Sequence, residues 1–447
     1  MSSENRLRRK TKHLCCRLAV EGLEERCLLS YTITDVGTFP GYTFSTATGV
    51  NASGQAVGYD FTSNLSSARA YLYDSGALTD LGSLGGDHAY AEGINDLGQV
   101  AGFSQLPGDT VSHAFRYDAG TLTDLAPFGG NSYAYAINQN GDVAGYAAAN
   151  GGDHAVLWQG TSMTDLGTLG GSTSYGQAIN DRGIVVGLSY LPGDAVFHAF
   201  IAWRGRMADL GTLPGAANSW AYGVNNLGQV VGFSGNNLND YHAFLWDRVN
   251  GMQDLGTLGG VRSYANAIND AGQVVGYSAL PNGIQDAFLE DGGVLTDLND
   301  LLPPDSGWNV YQAAGINNAG QIVGEGFHDG AQHGYVLTPG PGPASVPLFQ
   351  PASLISAPAS AGTLMVVGAP DGTLDQLDGR EPSPLLVSIQ LRPTPLVQTT
   401  PAAPAASAVP LAHEPGGGLE GAGDSTGIAA ALDAPDQLVS LKDQRAG

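Results

Sequence analysis

Between Tyr31 and Pro339 short apolar runs alternate with breaks rich in Gly, Asn and Asp, and the alternation repeats. Ser263 to Leu298 shows one whole unit: S-Y-A-N-A-I-N-D-A-G-Q-V-V-G-Y-S-A-L-P-N-G-I-Q-D-A-F-L-E-D-G-G-V-L-T-D-L. An Asn followed three residues later by Gly marks each unit, at Asn51, Asn95, Asn138, Asn180, Asn225, Asn269 and Asn317. The steps are 44, 43, 42, 45, 44 and 48 residues, a period that signals a repeat architecture. Each unit holds four apolar segments rich in Val, Ile, Tyr, Phe and Trp, the pattern of strands joined by hairpins. The Asn-x-x-Gly break suits a short hairpin loop whose Gly takes positive φ. No segment sustains a 3.6-residue period, which argues against solenoids of helix pairs. Four strands per unit of this length predict one blade of a β-propeller.

The ends of the repeat region predict how the ring closes. Y-T-I-T-D-V-G at Tyr31 reads as a fourth strand with no first three before it. Gly315 to Leu337 supplies strands one to three with no fourth. The expected fold is therefore all-β: a seven-bladed propeller over residues 31–339, closed by the N-terminal strand completing the last blade. Such closure removes two exposed sheet edges. Two and four residues before each landmark Asn the residue is always Gly or Ala, as at Ala265 and Ala267. This marks strand one as innermost, where sheets converge. The third-strand Trp158, Trp203 and Trp246 are expected to fill space between blades further out.

The units resemble the HAF repeat of bacterial extracellular proteins. The triplet is literal at His113-Ala114-Phe115, His198-Ala199-Phe200 and His242-Ala243-Phe244. It is relaxed at His154, Asp286 and His333 and lost at Arg69. The run D-L-G-T-L-G-G at Asp165 and Asp254 is also family-like. The resemblance implies an extracellular, propeller-like protein and supplies no chemistry. Residues 1–30 are basic and contain all three cysteines, Cys15, Cys16 and Cys27. Glu21 to Ser30 resembles the leader of planctomycete-type surface proteins, which implies export to the exterior or cell surface. A metal or acyl group on Cys15-Cys16 is disfavoured, since zinc-site spacing is absent.

Charge narrows the partners. Residues 31–339 hold no Lys, seven Arg and 28 Asp plus Glu, a net charge of 7 − 28 = −21. Duplex nucleic acid is excluded as a partner, because phosphate binding needs clustered Lys and Arg. No apolar run is long enough to span a membrane. Residues 340–447 turn rich in Pro, Ala, Gly and Ser, and read as a mostly disordered tail or spacer.

Chemical candidates follow the repeat. Tyr90, Tyr133, Tyr175, Trp220 and Tyr264 lie five residues before the landmark Asn. At one end of the innermost strands they can ring the channel mouth and stack on sugars; packing between blades is the alternative. The repeated acids Asp35, Asp80, Asp124, Asp165, Asp209, Asp254 and Asp297 suit backbone hydrogen bonding, with a cation ring as the alternative. The H-A-F histidines, in separate blades, suit structural hydrogen bonds better than a metal. Asn236 to Asp240 is oxygen-rich enough for calcium but lacks the loop spacing. Leu106-Pro107-Gly108-Asp109, Leu191-Pro192-Gly193-Asp194 and Leu280-Pro281-Asn282-Gly283 decorate alternate blades, hinting at duplication of a two-blade unit. No hydrolase, zincin or P-loop motif occurs. The leading expectation is a non-enzymatic extracellular binding or adhesion module, its ligand a glycan or surface protein. A carbohydrate-active hydrolase or lyase is the alternative, and a purely structural surface protein the third.

Overall fold

The computed structural model describes residues 30–340, apart from 127–129, 150 and 237–239. The leader and tail, and with them the three cysteines, fall outside the described residues, Ser30 and Gly340 excepted. The described residues form seven four-stranded antiparallel sheets and one 3₁₀ turn at Leu298–Leu301. Blade six is representative. Ser263–Ile268 lies innermost, followed outward by Val274–Ala279, Gln285–Asp291 and Val294–Asp297. The seventh sheet draws on both ends of the repeat region. Trp308–Ile316, Ile322–His328 and Ala331–Pro339 are completed on the outside by Tyr31–Asp35. Tyr31 pairs with Pro339 and Asp35 with Tyr335. The seven-bladed, N-terminally closed propeller is thus the fold. Among the described residues no helix is long and apolar enough to cross a membrane.

The first strands of neighbouring blades touch in an unbroken cycle, which is why their residues are small. A Cβ on Gly93 would stand 3.2 Å from Ala136 Cα of the next blade. One on Gly223 would stand 3.2 Å from Ala267 Cα, and one on Gly315 would meet Thr48 O at 3.1 Å. The Gly of Q-V-V-G-Y has a different cause. The first strand carries a bulge one residue before that small position, as between Ala265 and Ala267, and this drives a carbonyl toward the second strand. A Cβ at Gly187 would lie 1.8 Å from Tyr175 O, and one at Gly276 1.9 Å from Tyr264 O. No side chain fits there.

The core lies between blades. Ala101, Ala114 and Leu125 of blade two pack with Val143, Val156 and Trp158 of blade three. Val36, Val323 and Val336 of blade seven pack with Ala47, Ala56 and Tyr71 of blade one. Each large side chain buried this way contributes roughly 1.5–3 kcal/mol, and no blade can bury its faces alone. One expectation fails here. Trp158 is buried, but Trp203 is 47% exposed, with the Arg204 guanidinium 4.2 Å from its ring centroid. Trp158 and Trp246 stand four residues after the triplet His, whereas Trp203 stands five after His198. One extra residue along a strand turns a side chain to the other face, and Ala202 takes the buried place.

Candidate functional site: an amide and acid mouth

The landmark asparagines converge at one end of the channel. Each side chain first fixes its own hairpin: Asn180 Oδ1 accepts from the backbone N–H groups of Arg182 and Ile184, both at 3.0 Å. Its Nδ2 then donates across the blade boundary to Asn225 O at 2.9 Å. The same bond recurs in every blade: Asn51 to Asn95, Asn95 to Asn138, Asn138 to Asn180, Asn225 to Asn269, and Asn269 to Asn317. Asn317 donates to Asn51 O at 2.8 Å and closes the circle. Seven buried amides therefore form one cyclic hydrogen-bond ring. Sequence reading took these residues as markers of the period. That a primary amide recurs seven times, where a plain turn tolerates Asp or Ser, was the signal that both its acceptor and its donor are used.

The next residue builds a second ring. Ala52 N–H donates to Asp96 Oδ1 at 2.8 Å, Asp96 N–H to Gln139 Oε1, and Gln139 N–H to Asp181 Oδ1. Asp181 N–H reaches Asn226 Oδ1, Asn226 N–H reaches Asp270 Oδ1, and Asp270 N–H reaches Asn318 Oδ1. The seventh position is Ala52, which offers no acceptor. Inside both rings a collar of Val50, Ile94, Ile137, Ile179, Val224, Ile268 and Ile316 forms an aliphatic floor. Floor and rings together line an open-mouthed cavity of about 230 Å³. Its lining includes Asp96, Asp181 and Asp270 and no basic side chain.

The five predicted aromatic residues lie at the opposite end of the same inner strands. They form a belt running from blade to blade. Tyr90 stacks on Phe103 at 4.7 Å, and Phe103 meets Tyr133 edge-on at 4.9 Å. Tyr133 stacks on Tyr146, which meets Tyr175. Trp220 lies between Tyr175 and Phe233, and Tyr264 contacts both Phe233 and Tyr277. Tyr175 and Trp220 are buried, at 6% and 2% exposure, while Tyr90, Tyr133 and Tyr264 are half-buried. Burial pushes the Tyr264 phenol up to about 12. Each ring thus lies against other rings of the belt.

The belt is interrupted where blade seven meets blade one. Glu325 takes the second-strand position held elsewhere by Tyr59, Phe103, Tyr146, Phe233 or Tyr277, and by Leu188 in blade four. Its carboxyl accepts from Thr46 Oγ1 at 2.9 Å and Gln332 Nε2 at 2.8 Å, and bonds the Tyr311 side chain. Burial raises its pKa despite these donors. Asp60 is also buried, and burial lifts its carboxyl to about 7 against the Phe39 N–H bond and the Arg69 charge. Neither residue lines the cavity.

The repeated acids and histidines pair with one another. All seven acids accept a backbone N–H two residues on, as Gly167 N–H to Asp165 at 2.7 Å and Asn299 N–H to Asp297 at 2.8 Å. The remaining oxygen meets the triplet His: His113 with Asp124, His154 with Asp165, His198 with Asp209, His242 with Asp254, and His333 with Asp35. In blade one Arg69 takes the place of the His and reaches Asp80 at 3.4 Å. The alternating loops also have a partner. Pro107, Pro192 and Pro281 lie against Gly85, Gly170 and Gly259, each the first of a Gly-Gly pair. Of the oxygen-rich loop at Asn236 to Asp240, residues 237–239 lie outside the described residues; Asn236 N–H donates to Asp240 Oδ1.

A family model described as "Protein of unknown function (DUF3466)" matches residues 212–338, the last three blades. No curated protein matches the chain. Among solved structures, the β-propeller domain of the Trilobed protease from Pyrococcus furiosus is 10% identical with a TM-score of 0.46, covering 67% of this chain and 97% of that one. TolB from Acinetobacter baumannii is 10% identical with a TM-score of 0.37, covering 68% and 65%. The BP39L lectin from Burkholderia pseudomallei is 12% identical with a TM-score of 0.38, covering 69% and 96%.

Proposed function

We propose that this propeller is a non-enzymatic extracellular binding module that receives a glycan at its amide- and acid-lined mouth. The cavity there carries the reading. A sugar presents hydroxyls that both donate and accept, and C–H faces that are apolar. The rim supplies carboxylates and amides, and the floor supplies Val and Ile side chains, the mixture expected of a small-molecule site. Sevenfold symmetry is broken at the rim, where Ala52, Asp96, Gln139, Asp181, Asn226, Asp270 and Asn318 differ. An asymmetric ligand needs such variation. The carboxyls that burial pushes up, Asp60, Asp153, Asp286, Glu290 and Glu325, belong to blades one, three, six and seven and lie outside the cavity lining. That favours binding over acid-catalysed glycoside cleavage, which needs a paired acid and base at the sugar. Export is supported by the leader-like residues 21–30 and by the acidity of the repeat region.

A glycan array on the full chain tests this reading. The variant Asp96→Asn/Asp181→Asn/Asp270→Asn keeps the Oδ1 acceptor for each rim backbone N–H, replaces the Oδ2 oxygens that accept from Asn226 and Asn318, and removes three charges. It should bind its glycan at least about tenfold more weakly, the loss of roughly one charged hydrogen bond. If Tyr264→Ala and Trp220→Ala abolish binding and the rim variant does not, the ligand sits at the aromatic end. No glycan binding by a folded chain would leave a protein partner or a purely structural role.

A further inference from the structure

Blade seven departs from the others at its outer edge. In blades two to five one His meets one Asp. In blade seven two imidazoles converge on one carboxylate oxygen. His333 Nδ1 lies 2.8 Å and His328 Nδ1 3.1 Å from Asp35 Oδ2, while Oδ1 is taken by the Gly37 N–H. The ligand-capable atoms of Asp35, His328 and His333 lie within 4.8 Å of one another, the one such set among the described residues. Counted from the second-strand Gly, the place of His328 is held in the other blades by Thr62, Leu106, Ala149, Leu191, Asn236 and Leu280. No repeat requirement puts a histidine there.

We propose that Asp35, His328 and His333 bind a divalent transition metal, zinc in the first instance, and that the metal clasps the N-terminal strand to the last blade. The donor set is two imidazole nitrogens and one carboxylate oxygen. Zinc accepts such a set at bonds of about 2.0–2.2 Å with a fourth position open to water. Tetrahedral bonds of that length set donor atoms roughly 3.3 Å apart, so the two His–Asp separations need open only slightly, and the two imidazole nitrogens already lie within 4.8 Å of each other. The side chains are 22–31% exposed, which leaves room for a water ligand and an entry path. Orientation is supplied in advance. The Trp308 ring stacks on His328 at 4.6 Å with planes 6° apart, and Asp329 Oδ2 stands 3.8 Å from the ring's other nitrogen. The Gly37 N–H in turn holds the Asp35 carboxylate. Such outer contacts orient ligands in metal sites. The placement gives the site its role. Asp35 belongs to the first strand and both histidines to the last blade, so coordination cross-links the two ends of the ring.

The test uses the full chain carrying Cys15→Ser, Cys16→Ser and Cys27→Ser, which removes the thiols as competing ligands. After chelation and dialysis it is titrated with zinc chloride by calorimetry, and its melting is followed with and without the metal. One zinc per chain is expected, bound in the micromolar range or tighter, with a Tm rise of about 5 °C or more. His328→Ala keeps the His333–Asp35 pair that other blades use, so it should fold, lose at least tenfold in affinity, and lose the Tm rise. His154→Ala should lose neither. Cobalt bound to the chain should show visible absorption bands that vanish in His328→Gln. Absence of binding, or binding and stabilisation unchanged in both His328 variants, would overturn the proposal.

Discussion

At the scale of the residue, the His–Asp pairs show one local interaction solved several ways. The acid holds its own turn with one oxygen and takes a cation or imidazole on the other. Arg69 preserves the pairing with Asp80 and also lies 5.4 and 5.1 Å from the Phe39 and Tyr42 ring centroids. Blade six fails the rule, because Asp286 stands where the His belongs and faces Asp297. Burial pushes the Asp286 carboxyl up to about 6, and the charge and hydrogen bond of Asp297 add to it. Asp286 Oδ1 is buried without a partner. The sign follows from linkage. A carboxyl raised in the folded state costs stability as pH climbs from the ordinary range near 4 through about 6. Asp286→His restores the pair with Asp297 found in five other blades. It should raise stability at pH 7 by about 1 kcal/mol and lessen the loss between pH 4.5 and 7. Urea midpoints of both proteins at the two pH values check this; equal midpoints would show that the acid pair carries no cost.

At the scale of the element, the hairpin after each inner strand does two jobs with one side chain. Asn180 separates them well, because its fourth neighbour is Ile184 and its Nδ2 has Asn225 O as its partner in the ring. Asn180→Asp keeps the acceptor for Arg182 and Ile184 but sets a carboxylate oxygen against a carbonyl. Asn180→Ala removes both functions. Each should cost about 2–4 kcal/mol, and the Asp variant should recover part of its loss when its carboxyl is protonated near pH 4. Thermal melts at pH 4 and 7 distinguish the two. Elements were also the scale at which sequence was most legible. Period, strand count and inner-strand identity follow from patterns that seven blades repeat in register. The misses lie where one residue leaves the register. Trp203 is displaced by one position and turns outward, and His328 belongs to no repeated motif. The tyrosine belt was visible as a series, but whether a ring faces solvent or its neighbour depends on blade spacing, which no single strand encodes. The roles of the strict second-strand glycines likewise needed the bulged partner strand beside them.

At the scale of the molecule, the ring is fastened twice between its ends. The inner fastening consists of Asn317 Nδ2 to Asn51 O and the Thr46 Oγ1 bond to buried Glu325. The outer fastening is the strand Tyr31–Asp35 on Ala331–Pro339, with Tyr31 in the core between blades six and seven and Val36 in the core between seven and one. Burial of those two side chains alone is worth about 2 kcal/mol each. Deleting residues 30–36 removes the outer fastening and leaves the inner one intact. Blades one to six keep their sheets, so the far-ultraviolet circular dichroism should stay close to that of the full chain, while Tm falls by about 10 °C or more. The deletion also bares the edge of Ala331–Pro339, and an unpaired edge recruits another strand. Size-exclusion chromatography should therefore show self-association at high protein concentration. A synthetic peptide of residues 30–38 added in trans should reverse both effects by re-forming the fourth strand. If the truncated chain stays monomeric with an unchanged Tm, the ring is held from the inside alone, and the pairing of Tyr31–Asp35 follows closure without driving it.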